Sequence, residues 1–342
     1  MRTVFVGTSL FAASVLERMA AGEHRPELVI TRPDRPRGRG RKLASPPVAE
    51  TAARLGLDLE QPANINDEAA RAQIARVRPQ AVVVCAFGAL IREPLLSEHE
   101  LLNVHPSLLP RWRGAAPVER AIMAGDERTG VSIMRLTAGL DSGPVCAARE
   151  LAIAPTDTYG TLAERLQTLG GELIVHVLDL IARGEPPAFA EQDETGATYA
   201  EKIGPEDRLL DPARPAVELE RVVRALDPHI GARLALADGS MLGVRKAAVA
   251  VPGGSGMPHE APAAREQAAG ALATGALGAG EQAAEAPATG MPAAGAPAAG
   301  ALVVRDGRLL YGTAAGALEL LVVQPPGGRA MDAEAYLRGH AL

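Results

Sequence analysis

Two cysteines in 342 residues, Cys85 and Cys146, leave no basis for a disulfide framework. Neither stands in a CxxC or Cys/His spacing, so no metal site is expected. Both read as small buried hydrophobes rather than reactive thiols. Excess positive charge is missing too. The 35 Lys and Arg face 41 Asp and Glu, a net charge of −6, so no global field marks a nucleic-acid binder. A local basic patch is compatible with that total. No run of about 18 apolar residues occurs, which excludes a membrane-spanning helix. Arg2 precedes apolar residues as in a secretion signal, but Gly7, Thr8 and Ser9 interrupt the run and Glu17 and Arg18 close it. The expected location is therefore the cytoplasm. No GxGxxG follows the first β-like run, which speaks against a plain dinucleotide-binding protein.

What is present is 47% apolar and 22% charged, the balance of a globular chain, with length for two domains. Thr3 to Val6 is a β-branched and aromatic run, and Phe11 to Ala21 follows with Phe11, Val15, Leu16 and Met19 on one helical face. Leu28 to Thr31 predicts a second strand, and Pro47 to Leu55 and Ala69 to Val77 predict helices. Ala81 to Cys85 is continuously apolar, as in a strand covered on both faces. Leu101 to Val104 and Val131 to Leu136 add strands, and Thr161 to Ala182 is the longest helical pattern. Strands alternating with helices predict an α/β domain over 1–184 with a mostly parallel sheet.

The Pro-rich stretch 185–205 reads as a linker, and a smaller domain is expected over 206–342. It opens with a helix at Ala216 to Ala225. Short β-like segments follow at Ala232 to Ala237, Met241 to Val251, Leu302 to Val304, Arg308 to Gly312 and Ala317 to Gln324. With turns at Asp238-Gly239 and Asp306-Gly307, they predict a small β-barrel. Between them 252–300 is low-complexity. From Val251 to Gly300, 34 of 50 residues are Ala, Gly or Pro, so it reads as a disordered, functionally silent insertion.

Leu101 to Val145 carries the chemistry. Period two puts Asn103 and His105 on one face of a strand end, where open α/β sheets bind ligands. Asp141 sits beside a flexible turn at Ser142-Gly143. A carboxamide, an imidazole and a carboxylate suit acyl transfer to an amine. The amide stabilises the oxyanion, the imidazole carries the proton, and the carboxylate orients the imidazole and favours its protonated form. No serine or cysteine nucleophile is needed, so direct transfer is favoured. Residue by residue, bland alternatives stay open: a structural His105, a turn role for Asn103, a capping role for Asp141.

Asn103-Val104-His105-Pro106-Ser107-Leu108-Leu109-Pro110 resembles the signature of the 10-formyltetrahydrofolate-dependent formyltransferase superfamily. Arg113-Gly114, Pro117, Thr129-Gly130 and Leu140-Asp141-Ser142-Gly143-Pro144 match the rest of it in order. The resemblance implies a Rossmann-like first domain in which Asn103, His105 and Asp141 are catalytic. It also implies that Ser107, Leu108, Leu109 and Pro110 line the folate, with the backbone around Phe87, Gly88 and Leu90 beside the pterin. The implied co-substrate is 10-formyltetrahydrofolate, with no metal.

Within that superfamily the amino-terminal pattern is similar to the methionyl-tRNA formyltransferases. Val6-Gly7-Thr8 with Phe11-Ala12, Pro33-Asp34-Arg35-Pro36, Gln61-Pro62 and Ala197-Thr198-Tyr199-Ala200 carry that likeness. Arg32 to Lys42 holds six basic residues against Asp34 alone, a loop suited to phosphate contact, although a solvated surface loop also fits. The resemblance implies initiator methionyl-tRNA as partner, with Arg37, Arg39, Arg41 and Lys42 as contacts and an OB-like carboxyl domain that helps hold it. A monomer is the default. Ser9-Leu10 departs from the Pro-Glu usual in the family. The segments 206–250 and 301–342 balance 11 basic against 11 acidic residues, so RNA contact there requires local patches such as Arg245-Lys246. Rival activities sharing the signature are glycinamide-ribonucleotide formyltransfer, formyltetrahydrofolate hydrolysis and sugar-amine formyltransfer. A non-catalytic folate- or tRNA-binding module would be marked by loss of Asn103, His105 or Asp141.

Overall fold

The computed structural model describes residues 1–37, 42–251 and 296–340. The first strand, β1 (Thr3–Gly7), is wholly buried, with Phe5 in one core and Val4 and Val6 in the other. Helix α1 (Leu10–Ala20) starts where the Ser9 side chain accepts the Ala12 N–H, and it buries Phe11, Val15, Leu16 and Met19. Strand β2 (Leu28–Ile30) follows, then a hairpin of β3 (Arg35–Arg37) and β4 (Lys42–Ala44). Helix α2 (Pro47–Leu55) has Pro at its first position and ends on Gly56 at φ 62°. Next come β5 (Leu59–Glu60), α3 (Glu68–Val77), β6 (Ala81–Cys85), α4 (Leu95–Glu98) and β7 (Leu101–His105). Strand β8 (Arg113–Gly114) and α5 (Pro117–Ala124) lead to a long hairpin, β9 (Arg128–Arg135) and β10 (Val145–Ala152). Helix α6 (Tyr159–Ala182) then opens with a capping box at Thr158 and Thr161.

The main sheet runs β10-β9-β7-β6-β1-β2-β5. The five strands from β7 to β5 are parallel, and β9 and β10 add an antiparallel edge. After β1 the chain moves to one side through β2 and β5, then returns to place β6 on the other side. The carboxyl ends of β1, β6 and β7 therefore open onto the crevice where such sheets take ligands. Gly7 makes this rim possible: a Cβ there would stand 2.7 Å from the Ala12 Cβ and 2.8 Å from the Cys85 carbonyl oxygen.

Residues 185–205 are more than the expected linker. Strand β11 (Tyr199–Ala200) pairs in parallel with β8, so the stretch is threaded back onto the first domain. Helix α7 (Ala216–Leu226) then packs Leu219, Val222, Val223 and Leu226 against an antiparallel sheet. Its strands are β12 (Ala232–Ala235), β13 (Met241–Val249), β14 (Leu302–Arg305), β15 (Arg308–Gly312), β16 (Ala317–Gln324) and β17 (Met331–Asp332), followed by helix α8 (Ala333–Gly339). The path β12-β13-β16-β15-β14, with β17 on β16, fits the small, partly open OB-like barrel expected from the segment pattern. The low-complexity reading runs too far. Residues 296–300 belong to the sheet edge, where Gly300 N–H donates to the Gly312 carbonyl at 3.0 Å and Gly312 N–H to the Ala301 carbonyl at 2.8 Å.

The two parts meet at α5 and α7. Arg120 forks onto both oxygens of Asp207 at 2.7 and 2.9 Å, and His229 meets Glu119 at 3.1 Å. Burial pushes the Cys85 thiol far above its ordinary range and the half-buried Cys146 up to about 12, so neither offers a thiolate. Among the described residues, no helix is long and apolar enough to cross a membrane.

Candidate active site

Strand β7 is buried along its length and ends at the rim, bringing Asn103 and His105 to one place. The turn after β9 carries Asp141 to the same point, at φ 46°. Its Oδ1 lies 3.5 Å from the Asn103 amide nitrogen and its Oδ2 lies 3.6 Å from His105 Nδ1. The three expected groups thus share one position, although Asn103 and Asp141 stand 38 residues apart in the chain.

The other ring nitrogen, His105 Nε2, lies 2.9 Å from the Trp112 carbonyl. A carbonyl only accepts, so Nε2 carries the hydrogen there. Nδ1 is then the nitrogen free to exchange a proton, and it faces Asp141. Asp141 is itself held from behind. Gly114 N–H donates to Oδ2 at 2.8 Å, and the Gln192 amide donates to the carbonyls of Asp141 and Gly143 at 2.8 and 2.7 Å. Gln192 Oε1 in turn accepts from Arg113 Nε at 3.0 Å. Arg113 is 2% exposed and forks onto Glu194 at 2.8 and 2.9 Å, which holds its pKa up and that of Glu194 down. The close pairing of β8 with β11 requires Gly114, since a Cβ there would stand 2.8 Å from the Ala200 carbonyl oxygen at a φ of 119°.

Trp112 and Gln192 join the site without a mark in the sequence, and Gly114 is marked only as part of the signature, with no role. Trp112 and Gly114 act through backbone groups, which no periodic pattern announces. Gln192 lies in the stretch that reads as linker.

The expected folate-lining residues divide. Ser107 is fully buried, its hydroxyl donating to the Arg111 carbonyl at 2.6 Å. Ser132 of β9 staples the loop, donating to the Ser107 carbonyl at 2.8 Å and accepting Leu109 N–H at 3.1 Å. Ser107 and the buried Leu109 therefore set the loop's shape, while Leu108 and Pro110 are only half-buried. Phe87 is buried in the core beneath the sheet, whereas Gly88 is exposed and Leu90 is 66% exposed. The carbonyls of Phe87, Gly88 and Leu90 accept from Thr8, Arg32 and Asn66 at 2.8, 3.0 and 2.9 Å, making this segment a fixed shelf beside β7. Of the expected RNA contacts, Arg39 and Arg41 lie outside the described residues. Arg37 ends β3, and Lys42 begins β4 and is exposed. Among the described residues no cluster of three or more His, Cys, Asp or Glu could hold a metal ion.

Comparison with known proteins places the chain in a family. A family model described as "Formyl transferase" matches residues 1–178, and "Formyl transferase, C-terminal domain" matches 202–341. The methionyl-tRNA formyltransferase of Halorhodospira halophila is 39% identical across all of this chain and 97% of its own length. That of Stenotrophomonas maltophilia is 46% identical over 69% of this chain and 78% of its own. The chain belongs to the methionyl-tRNA formyltransferase family. Solved structures extend the likeness of fold. HypX from Aquifex aeolicus with tetrahydrofolic acid superposes at a TM-score of 0.60 and 16% identity, over 98% of this chain and 47% of that one. The Helicobacter canadensis N-formyltransferase, solved with folinic acid and dTDP-3-aminofucose, gives 0.59 and 11% over 93% and 98%. Gln192 falls between the two regions that the family models match, so it is this chain's own structure that places it at the site.

Proposed function

We infer that this chain transfers the formyl group of 10-formyltetrahydrofolate to the amino group of methionine on charged initiator tRNA. The observation that carries this reading is the convergence of Asn103, His105 and Asp141 at the rim of a parallel sheet, in a chain that aligns end to end with methionyl-tRNA formyltransferases.

The residues present fit the folate. On the shelf at 86–90 the small residues Ala86, Gly88 and Ala89 are exposed, and neighbouring strands β6 and β7 put it next to Asn103. The bound co-substrate supplies the formyl carbon and accepts a proton at the nitrogen it leaves from. Asn103 donates its amide hydrogen to the oxygen that gains negative charge as the amine attacks. His105 takes the amine's proton at Nδ1 and returns it to the departing nitrogen. Asp141 Oδ2 stands beside His105 Nδ1 and orients the ring, while Gly114 and Gln192 keep the carboxylate in place. Ser107, Leu109 and Ser132 fix the loop that covers the folate, and Leu108 and Pro110 present its surface. Arg37 and Lys42, at the ends of β3 and β4, and Arg39 and Arg41, between them in the sequence, are assigned to backbone phosphates of the tRNA. The enzyme works on this reading as a cytoplasmic monomer.

The test is purified protein with 10-formyltetrahydrofolate and, in parallel, charged initiator tRNA, glycinamide ribonucleotide, an amino sugar nucleotide or water. Formylation of the tRNA alone is expected. Transfer to one of the other acceptors, with none to tRNA, would overturn the assignment.

A further inference from the structure

Trp112 is held in a backbone conformation that its residue type resists. It stands at φ 63°, in the left-handed region that favours glycine, with its carbonyl 2.9 Å from His105 Nε2. Such backbone persists only where the surroundings over-determine it. One carboxylate supplies most of the grip. Asp126 Oδ2 accepts from Trp112 Nε1 at 2.7 Å and from Arg111 Nε at 2.8 Å, and its Oδ1 accepts from Arg111 Nη2 at 2.6 Å. The Arg111 guanidinium also lies over the Trp112 ring, 4.4 Å from its centroid.

The backbone is pinned from the other side by Thr198. Its hydroxyl accepts Trp112 N–H at 2.9 Å, and its carbonyl accepts Arg113 N–H at 2.9 Å. The peptide between Trp112 and Arg113 therefore turns its N–H to Thr198 and its carbonyl to His105. Asp126 is fixed in turn by the way α5 ends. Gly125, at φ 77°, bends the chain, and Asp126 N–H closes the turn on the Ala121 carbonyl at 3.0 Å. Arg111 is 44% exposed, and an exposed ion pair adds little stability. Three donors from two adjacent residues on one carboxylate instead fix the geometry of the backbone that joins them.

That geometry matters because His105 has a competing acceptor. Asp141 Oδ2 stands 3.6 Å from Nδ1, and a carboxylate accepts more strongly than a carbonyl. The bond made by one ring nitrogen sets the state of the other. An imidazole released by Trp112 would carry its hydrogen on Nδ1, toward Asp141, and that nitrogen could no longer take a proton.

We propose that Asp126 is a positioning residue for the formyl transfer. Through Arg111 and Trp112 it keeps the Trp112 carbonyl on His105 Nε2 and so leaves Nδ1 open. The part it plays in the reaction rests on the functional reading above, whereas its hold on the ring does not.

The full-length chain is isotopically labelled at nitrogen, and the ring signals of His105 are identified among the seven histidines by their loss in His105→Gln. At a pH where the ring is neutral, the wild type is expected to show the Nε2–H form alone. Asp126→Asn keeps the size but turns an acceptor into a donor. It should move part of the population to Nδ1–H and lower kcat about 10- to 100-fold, with both KM values within about twofold of wild type. Trp112→Phe keeps a ring and removes one of the three donors, so it should shift both readouts less and in the same direction. It also carries the test if the asparagine variant does not fold. An unshifted tautomer in every folded variant overturns the clamp, whatever happens to kcat or the melting temperature. A shifted tautomer with kcat unmoved overturns the positioning role. Formylation by the wild type is scored separately. A wild type that formylates no charged tRNA removes the functional reading and leaves the nitrogen signals to judge the clamp alone.

Discussion

The rim of the parallel sheet and the outer face of the second domain handle charge in opposite ways. At the rim each ionised group is closed by a protein partner: Asp141 by Gly114 and by its contact with His105, Arg113 by Glu194 and Gln192. On the second domain, Arg208, Arg233 and Arg245 face a recess with neutral anchors and, among the described residues, no acid. Groups proposed to act on a reacting bond need fixed positions before the substrate arrives, since misplacement by about 1 Å costs on the order of 10²-fold in rate. The second-domain arginines carry no such closure by a protein acid among the described residues.

The largest effect that would break this contrast lies at the rim. Replacing Asn103 by Ala should lower kcat by about 10²–10³-fold, the loss seen when one oxyanion donor is removed. His105→Ala should cost about 10²–10⁴-fold, with folate binding largely intact. Single-turnover formylation and folate titration check both. Turnover near wild type in either variant would empty the rim of its catalytic role.

The next effect sharpens the idea that closure by partners is what matters. Gln192→Ala removes two donations to the Asp141 turn at once. We expect kcat to fall by about 10- to 100-fold with little change in either KM, because the turn is displaced while the binding surfaces stay. Gln192→Glu, which keeps the size but offers no donor, should behave like the alanine variant. A drop in thermal stability alone, with kcat and both KM values unmoved, would make Gln192 merely structural.

How far each region was legible follows from the physics of its signal. Ala81–Cys85, Arg308–Gly312 and Ala317–Gln324 have the bounds expected, since apolar runs between turn residues mark strands directly. Strand β10 is silent in the sequence because Ala147, Ala148, Glu150 and Ala152 favour helix, and only its long pairing with β9 makes it a strand. The hairpin β3–β4 reads as a loop, for Arg35, Arg37 and Lys42 are basic and no apolar alternation marks its strands. Asn103 and His105 were legible from period two at a strand end. Their distant partner Asp141 stands out only as a carboxylate beside a flexible turn until the family likeness joins it to them, and Gln192 and Trp112 come from neither. Gln192 touches the site across 51 and 49 residues of chain, a relation that local spacing does not encode.

A smaller effect belongs to the open-charge side. Substituting Arg39, Arg41 and Lys42 by Ala should raise the KM for tRNA several-fold at moderate salt, leave kcat unchanged, and reduce the salt slope by roughly 0.7–0.9 for each phosphate released from a cation. KM values at three ionic strengths decide it. An unaltered slope would take residues 37–42 out of the RNA-binding surface.

The smallest effect expected is from the Ala/Gly/Pro-rich insertion. Deleting residues 255–292 should leave formylation within error of wild type and should not lower the melting temperature, because the segment has no aromatic residue and little to pack. Loop-closure entropy costs about 0.6 kcal/mol per doubling of length, so shortening the connection works, if at all, in the stabilising direction. Extending the deletion through Gly300 should behave differently. It removes the bond from Gly300 to Gly312 and the Ala298 carbonyl that accepts Ala301 N–H, both on the edge that supports β14 and β15. The longer deletion should therefore lower the melting temperature while the shorter one does not. Equal behaviour of the two would mean that residues 296–300 contribute nothing to the sheet they border.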